Sequence, residues 1–240
     1  MENKPKVIAI MPAFNEEGKI GKVISKFPEN VVDKIVVVDD GSNDFTSKEA
    51  GALGVKVISH KIKQGVGAAI RTGLDYALKN RYDIVVIMGG DDQDEPSEIP
   101  LLLEPILNEG YDFIQGSRRL REGTMISIPL FRRITTKWYS WLFSILIGAH
   151  ITDGTNGFRA FKLSIFKHGK INLWQEWLNT YELEPYLYYK VVSSGFKVKE
   201  IGVTKRYPNT RKISYTKMIP FLDWWRITKP LLYLKFGIKK

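Results

Sequence analysis

The chain has 240 residues, no cysteine and a formal net charge of +10, with 44% hydrophobic residues. That length suits one domain, or one domain with an appendage, and leaves ample apolar material for a core. The missing cysteine excludes a disulfide framework, thiolate catalysis and a zinc–cysteine site, and no stretch reaches the roughly 18 apolar residues of a membrane-crossing helix.

The opening segment, MENKPKVIAIMP, lacks the layout of a signal peptide. Val7–Met11 is a buried-strand run, followed by a turn at Pro12–Asn15 and a helical stretch near Glu17–Lys26. Ile35–Val38 is a second strand, ending in Asp39-Asp40-Gly41-Ser42. A helix near Phe45–Leu53, a short strand at Lys56–Ser59 and a helix at Gly65–Leu78 follow, the last packing on Ala68, Ala69, Leu74 and Ala77. Ile84–Met88 is the next strand, Ile99–Asn108 a helix and Asp112–Gln115 another strand. Strands alternating with helices predict an α/β fold with a mainly parallel sheet and helices on both faces.

The rhythm changes after Arg119. Ile134–Ile147 reads as a long helix with Trp138, Trp141, Leu142, Ile145 and Leu146 on one apolar face. Phe158–Phe161 reads as a strand, Glu182–Ser193 as a helix and Lys197–Val203 as a strand. Residues 201–240 hold ten Lys or Arg against one acid, Asp223. From Thr216 that basic segment alternates with aromatic residues. The expected organisation is one domain over 1–215 and a basic amphipathic tail over 216–240.

Three strand ends carry polar clusters: Pro12–Glu17, Asp39–Asp44 and Gly89–Glu95. In a parallel sheet they open on one edge, where α/β folds bind ligands. Asn15, Ser42 and Ser97 are each good helix caps, but the acids exceed what capping needs. The richest cluster follows IVVIMGG, whose glycines allow a turn and a close approach. Asp91, Asp92 and Asp94 there are hard oxygen ligands suited to Mg²⁺ or Mn²⁺ holding a diphosphate. Gln64–Ala69 could set helix amides near a phosphate, with Arg71 one turn in, or could serve close helix–sheet packing.

The ordered runs MPAFNEE, VVVDDGSNDFT, MGGDDQDEP, Gly116-Ser117-Arg118 and DGTNGFRAF resemble family 2 glycosyltransferases of the GT-A fold. The nearest subgroup is similar to polyprenyl-phosphate (dolichol-phosphate) mannose and glucose synthases. The resemblance runs from about Val7 to Lys217. It implies a nucleotide-sugar pocket formed by Pro12, Phe14, Glu16, Val38, Asp40, Gly90, Asp91 and Gln93. It implies Asp91 and Gln93 as the metal and diphosphate positions, with Asp92 as a further possible ligand. Asp91, Arg118, Arg211 and Lys217 would carry the catalytic work. One departure stands out: relatives usually read Asp-x-Asp-x-Gln, and here the first acid is Gly89. Three readings follow from it. Asp91 holds the cation with diphosphate oxygens and waters; Asp92 or Asp94 supplies a second carboxylate; or metal binding is weak.

The implied reaction is inverting transfer of a hexose from a GDP-mannose or UDP-glucose type donor to a polyprenyl phosphate. Arg118, Arg206, Arg211, Lys212 and Lys217 are candidates for a cationic cradle. A sugar hydroxyl acceptor would instead need a carboxylate base, with Asp153, Glu182 and Glu184 available. A non-catalytic nucleotide-sugar-binding protein is the other alternative. The aromatic and basic tail, with the apolar run Trp138–Ile151, suits an interfacial helix on an anionic membrane. Peripheral attachment at the cytoplasmic face of the cell membrane is the corresponding expectation. Nucleic acid is not an expected partner, since no recognition motif is present and bare acidic strand ends repel phosphate.

Overall fold

The computed structural model describes residues 4–207, 217–219 and 221–239. Its frame is a seven-stranded sheet of β1 (Val7–Ala13), β2 (Lys34–Asp39), β3 (Lys56–Ser59), β4 (Ile84–Ile87), β5 (Phe113–Ser117), β7 (Arg159–Lys162) and β8 (Val198–Gly202). The strand order is β3-β2-β1-β4-β7-β5-β8. The pairs β2–β3, β1–β2, β1–β4 and β5–β8 are parallel, while β7 runs antiparallel to both its neighbours. A parallel pair of β6 (Thr124–Ile126) and β9 (Thr204–Arg206) sits apart from the main sheet.

The central strands are runs of β-branched residues because both faces are covered. Ile8, Ile10, Val36, Val38, Val85 and Ile87 face one apolar cluster. Met11, Val37, Ile84, Val86 and Met88 face the other. This is the period-2 split of a strand buried on both sides. The helices are α1 (Ile20–Ser25), α2 (Thr46–Ala52), α3 (Val66–Lys79), α4 (Ile99–Asn108), α5 (Leu130–Ile147), α6 (Leu183–Ser193) and α7 (Leu222–Lys235). The expected elements are present with small shifts of boundary. The antiparallel direction of β7 and the short strands β6 and β9 are not foreseen in the sequence.

Helix α3 shows how the glycines shape the frame. A Cβ on Gly67 would lie 2.2 Å from the Leu178 carbonyl oxygen and 2.6 Å from that of Thr180. Nearby Gly65 has φ +109°, and a Cβ there would lie 2.5 Å from the Asn179 carbonyl oxygen. The glycines at 65 and 67 therefore serve close packing of α3 on the 178–180 segment. Arg71 closes the same seam, donating to the carbonyls of Leu173 (3.1 Å) and Gln175 (2.7 Å) and to Asn179. It is not aimed at a diphosphate.

Helix α5 buries an unexpected face. Thr136, Tyr139, Ser140 and Phe143 point inward, whereas Trp138, Trp141 and Ile145 of the apolar stripe are exposed. Helix α7 packs against α5 and α6. Tyr139 donates to the Ile227 carbonyl at 2.7 Å, Leu231 is fully buried, and the Lys229 ammonium lies 2.7 Å from Glu182. Among the described residues no helix is long and apolar enough to cross a membrane.

Gly67→Ala is expected to lower unfolding stability by about 1–3 kcal/mol, because the added methyl meets fixed backbone rather than a movable side chain. Urea denaturation of the two proteins checks this.

Candidate active site

The carboxyl ends of β1, β2 and β4 open on one edge, and a cavity of about 670 Å³ lies over it. Pro12, Phe14 and Glu16 of the first loop line one end. The loop is locked to the second strand end. Ser42 accepts from the Asn15 amide (2.9 Å), Asn15 accepts from the Asn43 amide (2.9 Å), and Thr46 accepts from the Glu16 amide (2.7 Å). Asn15 and Ser42 thus cross-link two loops instead of capping helices. The Phe14 ring is open to cations: the Lys63 ammonium lies 4.0 Å from its centroid and that of Lys217 5.6 Å. Lys217 also donates to the Asn15 carbonyl (3.0 Å) and the Phe14 carbonyl, and pairs with Glu16.

Asp40 lines the cavity, yet its carboxylate is largely committed. It accepts from the Gln64 and Gly65 amides at 2.8 Å each, and lies 2.8 Å from His60 Nδ1. Val38 is a correction: its side chain is fully buried in the core and is absent from the cavity wall.

At the β4 end the three aspartates separate. Asp91 lines the cavity, and one of its oxygens accepts from the Gln93 amide at 3.2 Å. Among the described residues no Lys or Arg forms an ion pair with it. Asp92 has φ +61° and turns out of the cavity to pair with Lys26 at 2.6 Å. That removes it as a ligand in this arrangement. Asp94 is buried and holds the Lys205 ammonium at 2.8 Å. Burial pulls the Lys205 pKa down, but Asp94 and then Asp91 raise it above the usual lysine value. Gly90 packs against Ile20 and Ala13, where a Cβ would sit 2.7 Å and 3.3 Å away. Gln93 is buried at the cavity wall.

The middle of the cavity is built on Arg118 and Asp153. Arg118 Nε and Nη2 donate to the two oxygens of Asp153 at 2.6 and 2.7 Å, and the Arg118 amide donates to the same carboxylate at 3.1 Å. Nη1 reaches the Tyr207 hydroxyl at 2.7 Å, and Nη2 also meets Thr155. Burial alone would raise the Asp153 pKa, but the guanidinium outweighs it and holds the carboxyl below the usual carboxylate range. Arg118 is raised well above its ordinary value by the same partner, against its own desolvation. Asp153 is fully buried and saturated by these donors, so it is an anchor for Arg118 and not a free base. Glu182 is taken up by Lys229 and Thr180. Glu184 does face the cavity, beside Arg159 at 3.1 Å.

The family model for glycosyl transferase family 2 matches residues 8–171. The chain belongs to glycosyl transferase family 2. It is 32% identical over 178 residues to the UDP-N-acetylglucosamine–dolichyl-phosphate N-acetylglucosaminyltransferase of Methanococcus voltae, covering 67% of this chain and 71% of that one. It is 31% identical over 209 residues to the polyprenol monophosphomannose synthase of Mycolicibacterium smegmatis, covering 83% and 77%. The fold matches glucosyl-3-phosphoglycerate synthase from Mycobacterium tuberculosis, solved with Mn²⁺, UDP and phosphoglyceric acid. The TM-score is 0.74 at 19% identity, over 98% of this chain and 80% of that one. The fold is GT-A.

In this family 2 transferase the expected residues Pro12, Phe14, Glu16, Asp40, Gly90, Asp91, Gln93, Arg118 and Lys217 share one cavity. Arg211 and Lys212 lie outside the described residues. Arg206 is half-exposed beside Glu95 and does not line the cavity. Its neighbour Lys205 does, because alternate residues of β9 face opposite ways. The sequence reading missed Lys205, Lys19, Lys63, Arg132 and Tyr207. The signal for Lys205 was the period-2 pattern of Thr204–Arg206, hidden in a strand of three residues.

Asp153→Asn in this transferase leaves a buried guanidinium without its counter-charge and is expected to cost up to about 3–5 kcal/mol. A carboxyl with a depressed folded pKa stabilises above its unfolded pKa, about 4, and loses that contribution as pH falls through the folded value. The stability gap between wild type and Asp153→Asn is therefore full at pH 7 and shrinks below about pH 4, as urea titrations across pH would show.

Proposed function

We propose that the chain transfers a hexose, with inversion, from a nucleotide-sugar of the GDP-mannose or UDP-glucose kind to polyprenyl (dolichyl) phosphate at a membrane surface. The observation that carries this reading is the continuity of the cavity. It runs from the Phe14 loop and Asp91, past Arg118, to Phe131, Trp138 and Trp224 on α5 and α7. One end offers an aromatic face and acids for a nucleotide. The other offers cations beside an apolar rim, the combination a lipid phosphate requires.

At the donor end Phe14 presents its ring and Glu16 its carboxylate, suited to base and ribose, with Asp40 on the same wall held by the Gln64 and Gly65 amides and His60. Among the described residues no three His, Asp or Glu side chains form a ready cage. Asp91 and the Gln93 amide oxygen nevertheless fit a cation that keeps its waters and shares substrate phosphates, as Mg²⁺ and Mn²⁺ do. When bound, such an ion neutralises charge on the departing diphosphate. Asp91 and Gln93 would hold it, and the strand end fixes both before substrate arrives.

At the centre Arg118 is held rigid by Asp153, and towards the acceptor end Arg132 sits 5.4 Å from the Tyr207 ring. Thr136 lines the same wall. A phosphate acceptor is already ionised near pH 7, so a cationic cradle suffices and no strong base is needed. The commitment of Asp153 to Arg118 agrees with that chemistry. The names of the Methanococcus voltae and Mycolicibacterium smegmatis relatives, one a dolichyl-phosphate glycosyltransferase and the other a polyprenol monophosphomannose synthase, support the acceptor class.

The rim supplies the membrane contact. Leu130, Phe131, Ile134, Trp138 and Trp141 are all exposed on α5, and Phe221 and Trp225 lie exposed at and near the start of α7. Arg132, Arg133 and Lys137 stand among them. Apolar rings with interleaved cations suit an anionic interface.

A transfer screen over nucleotide-sugars, with Mn²⁺ and with or without polyprenyl phosphate, is expected to give lipid-linked sugar. Transfer that ignores the lipid phosphate would overturn the acceptor. Asp91→Ala should lower kcat/KM at least about 100-fold. Flotation with anionic liposomes tests the rim: wild type floats at low salt and Trp138→Ser/Trp141→Ser stays at the bottom. A wild type that does not float removes the membrane contact.

A further inference from the structure

Lys205 occupies a position that the donor reading leaves unexplained. Strand β9 is stitched to the acid turn by the bridge between Asp94 and Lys205 and by the Arg206 amide donating to the Gln93 carbonyl at 2.8 Å. The lysine side chain is only 12% exposed, yet it lines the cavity with Gly89, Asp91 and Gln93. Asp94 Oδ1 accepts one of its protons at 2.8 Å. An ammonium has three donors, and among the described residues the other two have no protein acceptor within hydrogen-bond reach.

The glycine at 89 keeps the charge around it low. A Cβ on Gly89 would stand 3.1 Å from Asp91 Oδ1 and 3.8 Å from Asp94 Oδ2. A carboxylate there would add a third negative group between two others. With glycine at 89, Asp91 and Asp94 face one fixed cation, and Asp94 is already paired with it. A side chain needed only to neutralise Asp94 has no reason to reach the cavity wall. Arg206, which pairs with Glu95 on the outer side, shows what such a partner looks like on this strand.

We propose that Lys205 is a built-in cation of the donor site, donating to a phosphate oxygen of the nucleoside diphosphate. It then carries part of the charge neutralisation that an acid at 89 would delegate to a metal. This rests on the nucleotide-sugar reading above. The backbone links hold the ammonium in place before the donor arrives, so little ordering is lost on binding. Charge-assisted contacts from an ammonium to phosphate are the strong class of hydrogen bond. The consequence is diphosphate binding that survives removal of divalent metal.

Titration calorimetry of the full chain with UDP and with GDP, in Mn²⁺ and in EDTA, tests this. Wild type is expected to bind one of them in EDTA no more than about tenfold more weakly than in Mn²⁺. Lys205→Met should weaken the EDTA affinity about tenfold or more, and Lys205→Arg should retain most of it. Asp94→Asn removes the same ion pair but keeps the ammonium, so it should hold or strengthen binding in EDTA. Equal losses in Lys205→Met and Asp94→Asn would overturn the proposal and leave Lys205 as the partner of Asp94 only. Should Lys205→Met fail to fold, Asp94→Asn decides alone: lost binding in EDTA overturns the proposal, retained binding supports it. If wild type binds neither nucleotide even in Mn²⁺, the donor reading itself falls.

Discussion

The buried pair of Arg118 and Asp153 is the interaction on which the rest of the site depends. Arg118 follows the end of β5, Asp153 lies in the loop before β7, and Tyr207 follows β9. Three separate stretches of chain therefore meet on one guanidinium. Taking both charges out of water is costly, and the cost is offset only by near-complete hydrogen bonding. The Asp153 oxygens accept from the Arg118 side chain, the Arg118 amide, and the amide and hydroxyl of Thr155. A pair so saturated cannot readily change partner. It leaves a rigid cation at the centre of the cavity, with no proton to give or take near neutral pH.

From that centre the cavity is polarised. Towards the Phe14 loop the wall carries Glu16, Asp40 and Asp91, with Lys19, Lys63, Lys205 and Lys217 set against them. Lys19 and Lys217 pair with Glu16, Lys205 pairs with Asp94 and Lys63 lies over the Phe14 ring, so a polyanion entering this end would meet mixed charge rather than a negative field. Towards α5 and α7 the polar groups give way to Phe131, Trp138 and Trp224. A single cavity with a wet, charged end and an apolar, open end favours substrates of matching halves. The paired reading of sugar nucleotide and lipid phosphate follows from that gradient more than from any one residue.

The sequence made the left half of the sheet legible because strands buried on both faces are unbroken β-branched runs ending in turn residues. Ile84–Ile87 into Gly89-Gly90 is the plainest case. It could not show where a side chain points once the strand ends. Asp91, Asp92 and Asp94 are equal as letters, and only the positive φ of Asp92 and the approach of β9 to Asp94 separate them. Val38 was misplaced for a related reason: it adjoins the pocket in sequence, but strand alternation turns it into the core. Arg71, Gly65 and Gly67 were ambiguous between phosphate and packing, and the ambiguity is resolved by the 173–180 segment, far away in sequence.

Helix α5 shows a different limit, and it bears on function. An apolar stripe at helical spacing tells that one side avoids water, not what covers it. The opposite face holds Thr136, Ser140 and Ser144, which would ordinarily be called the wet side. Here their hydroxyls bond back to the helix at the carbonyls of Arg132, Thr136 and Ser140, and Ser140 and Ser144 also receive the amides of Gly154 and Ile151. Small hydroxyl side chains that satisfy themselves can be buried cheaply and let the Asp153 loop approach. A Cβ on Gly154 would already touch Phe143 at 2.5 Å. The close packing needed to seat Asp153 beneath Arg118 thus claims the small face of α5 for the interior. Trp138 and Trp141 are left on the outside, Trp138 at the cavity mouth, so the geometry that fixes the central cation also sets the apolar rim.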